Sequence, residues 1–379
     1  MGAGRLCAKG KLPPLLGMLM SGILLGPYCL NRIDPSVLAI SGELRRIALI
    51  IILLRAGLNL KIEDLMKNGR PALLMCFVPA SLEIIGMALL APVLFGLTLT
   101  DSLLLGTVIA AVSPAVIVPH MLKVMESGYG TGQGIPQMIL AGASADDVYV
   151  IVLFTSLLSI ASGGRFEPAI LLRIPTSILS GILAGVLAGT GCSVFLHKAK
   201  TGTARTIMLF LCISFLLVTL EDLMTGIIGF SGLIAIMAMG IVYAKKDPAK
   251  AGEISAGFTN LWAAAEIMLF VLVGAAVNPQ YALQAGGRAI LLLAGVLVFR
   301  MAGVALCVMK TRLNRKERLF CMLAYTPKAT VQAAIGAIPL SMGIASGETI
   351  LTVAVTAILL TAPLGAFLID LTYRKLLHR

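Results

Sequence analysis

Charge is scarce in this sequence. Asp, Glu, Lys and Arg make up 13% of its 379 residues, about half the roughly 25% of a soluble domain. Histidine occurs at 120, 197 and 378 only, and tryptophan once. The seven cysteines stand alone, with no CxxC or CxxH spacing. Neither a structural metal site nor a disulfide framework is therefore expected, and no cofactor. Short alternating segments, the mark of a membrane β-barrel, are missing too. No cleavable leader is expected, because MGAGRLCAKGK is basic but too short before the first apolar run. Acids are scarcer than bases, 18 against 30. The surplus is spread between apolar runs, which speaks against a nucleic-acid partner and for positively charged loops on one side of a bilayer.

What is abundant is apolar surface: 58% of the residues are hydrophobic. The fold class this predicts is an all-α polytopic membrane protein. Apolar segments fall at about 13–30, 44–60, 71–96, 101–122, 135–160, 168–196, 203–220, 226–244, 257–277, 286–309, 317–340 and 349–373, twelve candidate spans. The seventh and eighth are separated only by Glu221, Asp222 and a Gly-containing turn. With both termini in the cytoplasm, most of the basic residues fall on that side. They include Arg5, Lys9 and Lys11; Lys61, Lys67 and Arg70; Lys123; Lys198, Lys200 and Arg205; Lys245, Lys246 and Lys250; the run from Lys310 to Arg318; and Arg374, Lys375 and Arg379. The other side keeps Arg32, Arg45, Arg46, Arg165, Arg173 and Arg288. This asymmetry supports the count and the orientation of a multi-pass cell-membrane protein.

The stretch LAGASADDVYVIV, residues 140–152, sets two adjacent carboxylates, Asp146 and Asp147, in the middle of an apolar run. A carboxylate at mid-membrane costs about 2.5–3.5 kcal/mol on insertion scales, and such residues mark ion or proton pathways. Two neighbouring carboxylates repel, so they titrate in coupled steps. The small residues Gly142, Ala143, Ser144 and Ala145 let a second helix or an ion come close.

Other deep charges match them. At about 1.5 Å per residue, Glu83 lies ~18 Å from Pro71, Asp146 ~17 Å from Ile135, Lys328 ~17 Å from Glu317 and Arg300 ~14 Å from Met309. Charges from four segments thus reach similar depths and offset one another if gathered at one site. Glu83 is the only acid of the third segment and Arg300 the only deep base of the tenth. They are expected to pair, with Arg300 on the Asp pair as the alternative. Arg55 sits near a segment end and can snorkel. Glu266 in the ninth segment is a further candidate.

Two segments look broken. The fourth reads IAAVSPAVIVPHM, with Pro114 and Pro119; the eleventh reads AYTPKATVQAAIGAIPLSMG, with Pro327 and Pro339. Proline removes a donor and frees carbonyls one turn back. Free carbonyls at membrane depth are tolerated where they line a cavity. The fourth segment is the middle of the trio 71–160, and the eleventh of the trio 286–373. The trios start on opposite sides, the pattern of an inverted repeat with two crossed, interrupted helices.

The strings LPPLLGMLMSGILLGP (12–27), IILLRAGLNL (51–60), GTVIAAVSPAVIVPHML (106–122), ASADDV (143–148), PKATVQAAIG (327–336) and TVAVTAILLTAPLG (352–365) together resemble the cation:proton antiporter superfamily, in particular the NHA-type sodium/proton exchangers. The resemblance covers nearly the whole chain. It implies Asp147 as the principal carboxylate for ion and proton, Asp146 beside it, Lys328 in the unwound eleventh helix near the Asp pair, and Arg300 paired with Glu83. It implies a homodimer with a moving core of 71–160 and 286–375, a dimerisation part of 12–60 and 226–277, and linker helices in 161–225. Members of this branch usually carry one more helix before LPPLLG.

The expected function is exchange of Na⁺ or Li⁺ for protons by alternating access. Asp146, Ser113 or freed fourth-segment carbonyls would be further cation ligands beside Asp147. An enzyme is not expected. An intramembrane aspartyl protease needs its aspartates on different helices, and adjacent helical residues point about 100° apart. A channel needs no titrating pair held against Lys and Arg. A sodium-coupled symporter of a small organic anion is the remaining alternative; the segments show little polar surface for a large solute.

Overall fold

A computed structural model describes residues 13–59, 69–161, 169–199, 202–224 and 229–379, with Gly2, Gly4 and Cys7. Arg5, Lys9, Lys11, Lys61, Lys67, Arg165 and Lys200 of the expected charge asymmetry lie outside the described residues, as do the side chains of Ser144, Ala145 and Arg173. Among the described residues there is no strand.

The helices run in order α1 (Pro14–Leu25), α2 (Pro35–Ala39), α3 (Ser41–Asn59), α4 (Gly69–Met75), α5 (Val78–Phe95), α6 (Leu99–Ala110), α7 (Pro114–Glu126), α8 (Ile135–Ala161), α9 (Ala169–Ala199), α10 (Thr203–Met224), α11 (Gly232–Lys246), α12 (Pro248–Ala275), α13 (Pro279–Val308), α14 (Arg315–Ala324), α15 (Thr330–Ile335), α16 (Ile338–Ser341) and α17 (Gly347–Leu376). Seven stretches among the described residues are long and apolar enough to cross a membrane on their own. Of the other expected spans, α1 and α11 are short, α3 carries Glu43, Arg45, Arg46 and Arg55, and 315–341 is broken into three helices.

Several boundaries differ from the sequence reading. The third segment is two helices, because Phe77 leaves helical geometry (φ −143°) just before Pro79 in the first turn of α5. The fourth breaks at 111–113, before Pro114, whereas Pro119 lies inside an unbroken α7. Glu221 and Asp222 belong to α10 rather than to a turn. The ninth segment starts at Pro248, and the first helix ends at Leu25. Local chemistry accounts for the ends that hold. Thr98 caps α6, Asn278 caps α13, and Asn314 with Glu317 forms a capping box at α14. Gly96 closes α5 in the left-handed conformation (φ +66°) that glycine adopts without cost.

The chain divides into two compact units: Met1–Gly42, Ile62–Gly163 and Leu269–Arg379 in the first, Glu43–Lys61 and Gly164–Met268 in the second. The first therefore contains the whole expected core, together with α1 and the end of α12. Its centre is the broken stretch 99–126, 72% of whose most apolar window is buried. Around it pack α5, α8, α15 and α17. Towards one end Met75, Ile117, Met121, Ile135, Phe320, Tyr325, Ile369 and Tyr373 form an apolar cluster. In the second unit α9 lies directly on α11. A Cβ at Gly181, Gly185 or Gly189 would come within 2.4–2.7 Å of the carbonyls of Ser231, Ala235 and Met239. Arg46 forms an exposed ion pair with Asp222 at 2.8 Å. Outward residues such as Leu183, Leu187, Leu216 and Leu223 are exposed apolar side chains, as expected of lipid-facing helices.

Candidate functional site

The antiparallel packing of α5 on α13 sets the site's register. Gly303 meets Pro79, Gly86 meets Phe299 and Gly295 meets Leu90, each too close for a Cβ. Residue numbers rise on one helix as they fall on the other, so Glu83 comes opposite Arg300. Both are fully buried, and Arg300 NH1 donates to Glu83 Oε2 at 2.6 Å.

The break in 111–113 arises from diverted donors. In a straight helix the Val112 N–H would donate to residue 108 and the Ser113 N–H to residue 109. Here the Val112 N–H donates to Asp146 Oδ2 at 2.8 Å. The Ser113 N–H donates to the Pro327 carbonyl at 2.8 Å, and Pro114 has no N–H to offer Ala110. Side chains donate to three of the carbonyls at the break. Ala110 accepts from Arg300 NH1 and from Lys328 Nζ, the latter at 3.3 Å. Ile109 and Ala111 accept from the same Gln332 Nε2, at 3.1 and 2.8 Å. The second break, 325–329, is held by α17: the Lys328 N–H donates to Thr361 Oγ1 at 2.9 Å.

Arg300 ties these parts together. Its Nε donates to the Tyr325 carbonyl at 2.5 Å and its NH2 to Asp146 Oδ2 at 3.2 Å, and its guanidinium lies 5.0 Å from the Tyr325 ring centre. The Tyr325 hydroxyl in turn donates to the Met75 carbonyl at 3.0 Å. Lys328 Nζ donates to Glu83 Oε2 at 2.6 Å. Among the described residues, Asp146 Oδ1, Asp147 Oδ1, Glu83 Oε1, Ser113 Oγ, Thr330 Oγ1 and Gln332 Oε1 are buried with no protein hydrogen-bond partner.

The structure thus brings Glu83, Arg300, Lys328 and Asp146 into one buried network, with Asp147 as the next residue of α8 and Ser113 at the break. Lys328 stands in the same network as Asp146; its ammonium donates to Glu83 and Ala110, while Arg300 donates to Asp146. The extended 325–329 segment and the α5–α13 crossing set that arrangement. The freed carbonyls of Ile109 and Ala111 each hold one protein donor and that of Ala110 holds two. Glu266 is half-buried in the second unit, where Arg55 is the nearby opposite charge. Gln332, Tyr325 and Thr361 escaped the sequence reading. A fully buried amide in an apolar run signalled Gln332 alone; nothing in the local pattern marked the other two.

The comparisons agree on one lineage. The family description "Sodium/hydrogen exchanger, transmembrane" matches residues 1–374. Mouse sodium/hydrogen exchanger 9B2 is 33% identical over 97% of this chain and 69% of its own length. Human sodium/hydrogen exchanger 9B1 is 34% identical over 97% of this chain and 73% of its own length. The sodium proton antiporter MjNhaP1 of Methanocaldococcus jannaschii, solved at pH 8, has the same fold. It is 22% identical, with TM-score 0.87 over 99% of this chain and 95% of that one. The buried acids and bases therefore stand on the framework of a membrane carrier, and the chain belongs to the sodium/hydrogen exchanger family.

Proposed function

We propose that this protein exchanges Na⁺ or Li⁺ for protons by alternating access, with Asp147 as the carboxylate that cation and proton share and Asp146 beside it. Charge balance carries this reading. The network holds two cations, Arg300 and Lys328, against three carboxylates, Glu83, Asp146 and Asp147. With every group ionised, one negative charge is left over in a buried site. One monovalent cation or one proton neutralises it, and both together would overcharge it. Competition for one charge makes the transport an exchange.

The groups divide this work. Glu83 accepts from both cations and serves as their anchor. Asp146 Oδ2 accepts from Val112 and Arg300, so that carboxylate keeps its orientation. Glu83 and Asp146 each have one oxygen held by protein donors, whereas no hydrogen bond to the Asp147 carboxylate is found among the described residues, so Asp147 is the group left to change partners. Ser113 Oγ is the candidate neutral oxygen for the cation. Access alternates as the core, 71–160 and 286–375, moves against a dimerisation part of 12–60 and 226–277. The protein works as a homodimer in the cell membrane, with its termini in the cytoplasm.

The test is proteoliposome exchange with an imposed pH gradient, comparing wild type with Asp147→Asn. The variant keeps the shape and loses the carboxylate, so cation-driven proton flux should vanish while the protein remains folded. Flux at the wild-type rate would rule Asp147 out.

A further inference from the structure

Gln332 takes part in neither charge balance nor cation binding as described, yet it holds a decisive position. It lies on α15, fully buried, just beyond the second break. Its Nε2 bridges the carbonyls of Ile109 and Ala111 in the first break, at 3.1 and 2.8 Å. The amide orientation follows from this, since the opposite assignment would set its oxygen against two carbonyl oxygens. An amide nitrogen carries two N–H groups, one for each acceptor.

The Ala111 carbonyl and the Val112 N–H belong to one planar peptide, and in a trans peptide they point in opposite directions. That peptide is gripped at both ends. Gln332 holds its oxygen, and Asp146 Oδ2 receives its N–H at 2.8 Å. Donation to the carbonyl also polarises the peptide and strengthens the N–H on the other side. No other donor to the Ala111 carbonyl is found among the described residues.

We propose that Gln332 is a positioning residue for the ion site, acting on Asp146 through the Ala111–Val112 peptide. This rests on the reading of the Asp pair as the exchange site. Without Gln332 the peptide is free to turn, Asp146 loses a fixed donor, and cation binding beside it weakens. The second break would thereby set the geometry of the first, although no side chain of α15 reaches the aspartates.

The test compares the apparent KM for Na⁺ in proteoliposomes for wild type, Q332M and Q332N. Methionine keeps the length and bulk of glutamine and removes both donors. A packing role predicts that Q332M behaves like wild type. The positioning role predicts a KM raised roughly tenfold, the weight of one charge-assisted hydrogen bond, with a smaller change in maximal rate. Asparagine keeps the donors but is one methylene too short to reach both carbonyls, so Q332N should fall between. It also serves as the test variant if Q332M does not fold. A KM within twofold of wild type in the folded variant overturns the role of Gln332 alone. A wild-type protein that exchanges no monovalent cation overturns the Asp-pair reading and this inference with it.

Discussion

Ser113 and Pro327, one in each broken helix, are joined through the backbone: the Ser113 N–H donates to the Pro327 carbonyl at 2.8 Å. Both partners are products of a break, an amide turned out of its helix and a carbonyl in an extended segment. Each discontinuity therefore satisfies part of the other, as membrane depth requires. Three side chains from the second half of the chain, Arg300, Lys328 and Gln332, add four hydrogen bonds to the carbonyls of 109–111. Neither break can rearrange without releasing donors from the other.

The Glu83–Arg300 pair should prove strongly coupled. Removing one partner leaves a buried charge uncompensated, at about 3–5 kcal/mol. Glu83→Gln and Arg300→Gln should each lose thermostability in detergent, and the double variant should lose less than their sum. Additive losses would place the two side chains in separate environments.

Lys328 should matter through Glu83. Lys328→Met is expected to destabilise less than Arg300→Met, because Arg300 also holds Tyr325, Ala110 and Asp146. In a Glu83→Gln background the Lys328→Met loss should shrink, since its carboxylate partner has gone. An undiminished loss, read as the melting temperature of the purified protein, would show that Lys328 answers to another acid.

The two prolines of the fourth segment should differ in effect. Pro114→Ala returns an N–H that can donate to the Ala110 carbonyl, in competition with Arg300 and Lys328. Exchange should fall several-fold. Pro119 sits inside an intact α7, so Pro119→Ala should stay within about twofold of wild type. Equal effects of the two in a proteoliposome assay would show that the break does not depend on the missing Pro114 donor.

Sharing of one charge by cation and proton has a kinetic signature. The apparent KM for Na⁺ should rise as pH falls, about tenfold per pH unit on the acid limb if one proton competes, while the rate at saturating Na⁺ changes less. A KM independent of pH over that limb would mean separate sites for the two ions.

The α5–α13 register shows how far sequence reaches. Depth along a span follows from residue count, so Glu83, Arg300, Lys328 and Asp146 were legible as charges at one level, and Glu83 with Arg300 as a pair. The choice of partner for Lys328 was not legible. All four lie within a few ångströms in depth, and depth carries no information about azimuth. Prolines marked the breaks, but Pro114 and Pro119 look alike in sequence. Only the diverted N–H groups of Val112 and Ser113 separate the one that ends a helix from the one that does not. Pro79, in the middle of an apolar run, gave the same ambiguous signal.

By itself the sequence determined the class of solvent, the helical character and the deep charges Glu83, Asp146, Asp147, Arg300 and Lys328, but not the burial of Arg45 and Glu317. Each of these depends on what a bilayer does to polar groups wherever they stand. The tertiary structure decided which donor meets which acceptor: Arg300 on Asp146, Lys328 on Glu83, Gln332 on the two carbonyls flanking Ala110. Those bonds join residues 154 to 245 positions apart. They depend on the close approach of α5 and α13 at Gly303 and on the facing of the two breaks, which no local pattern encodes.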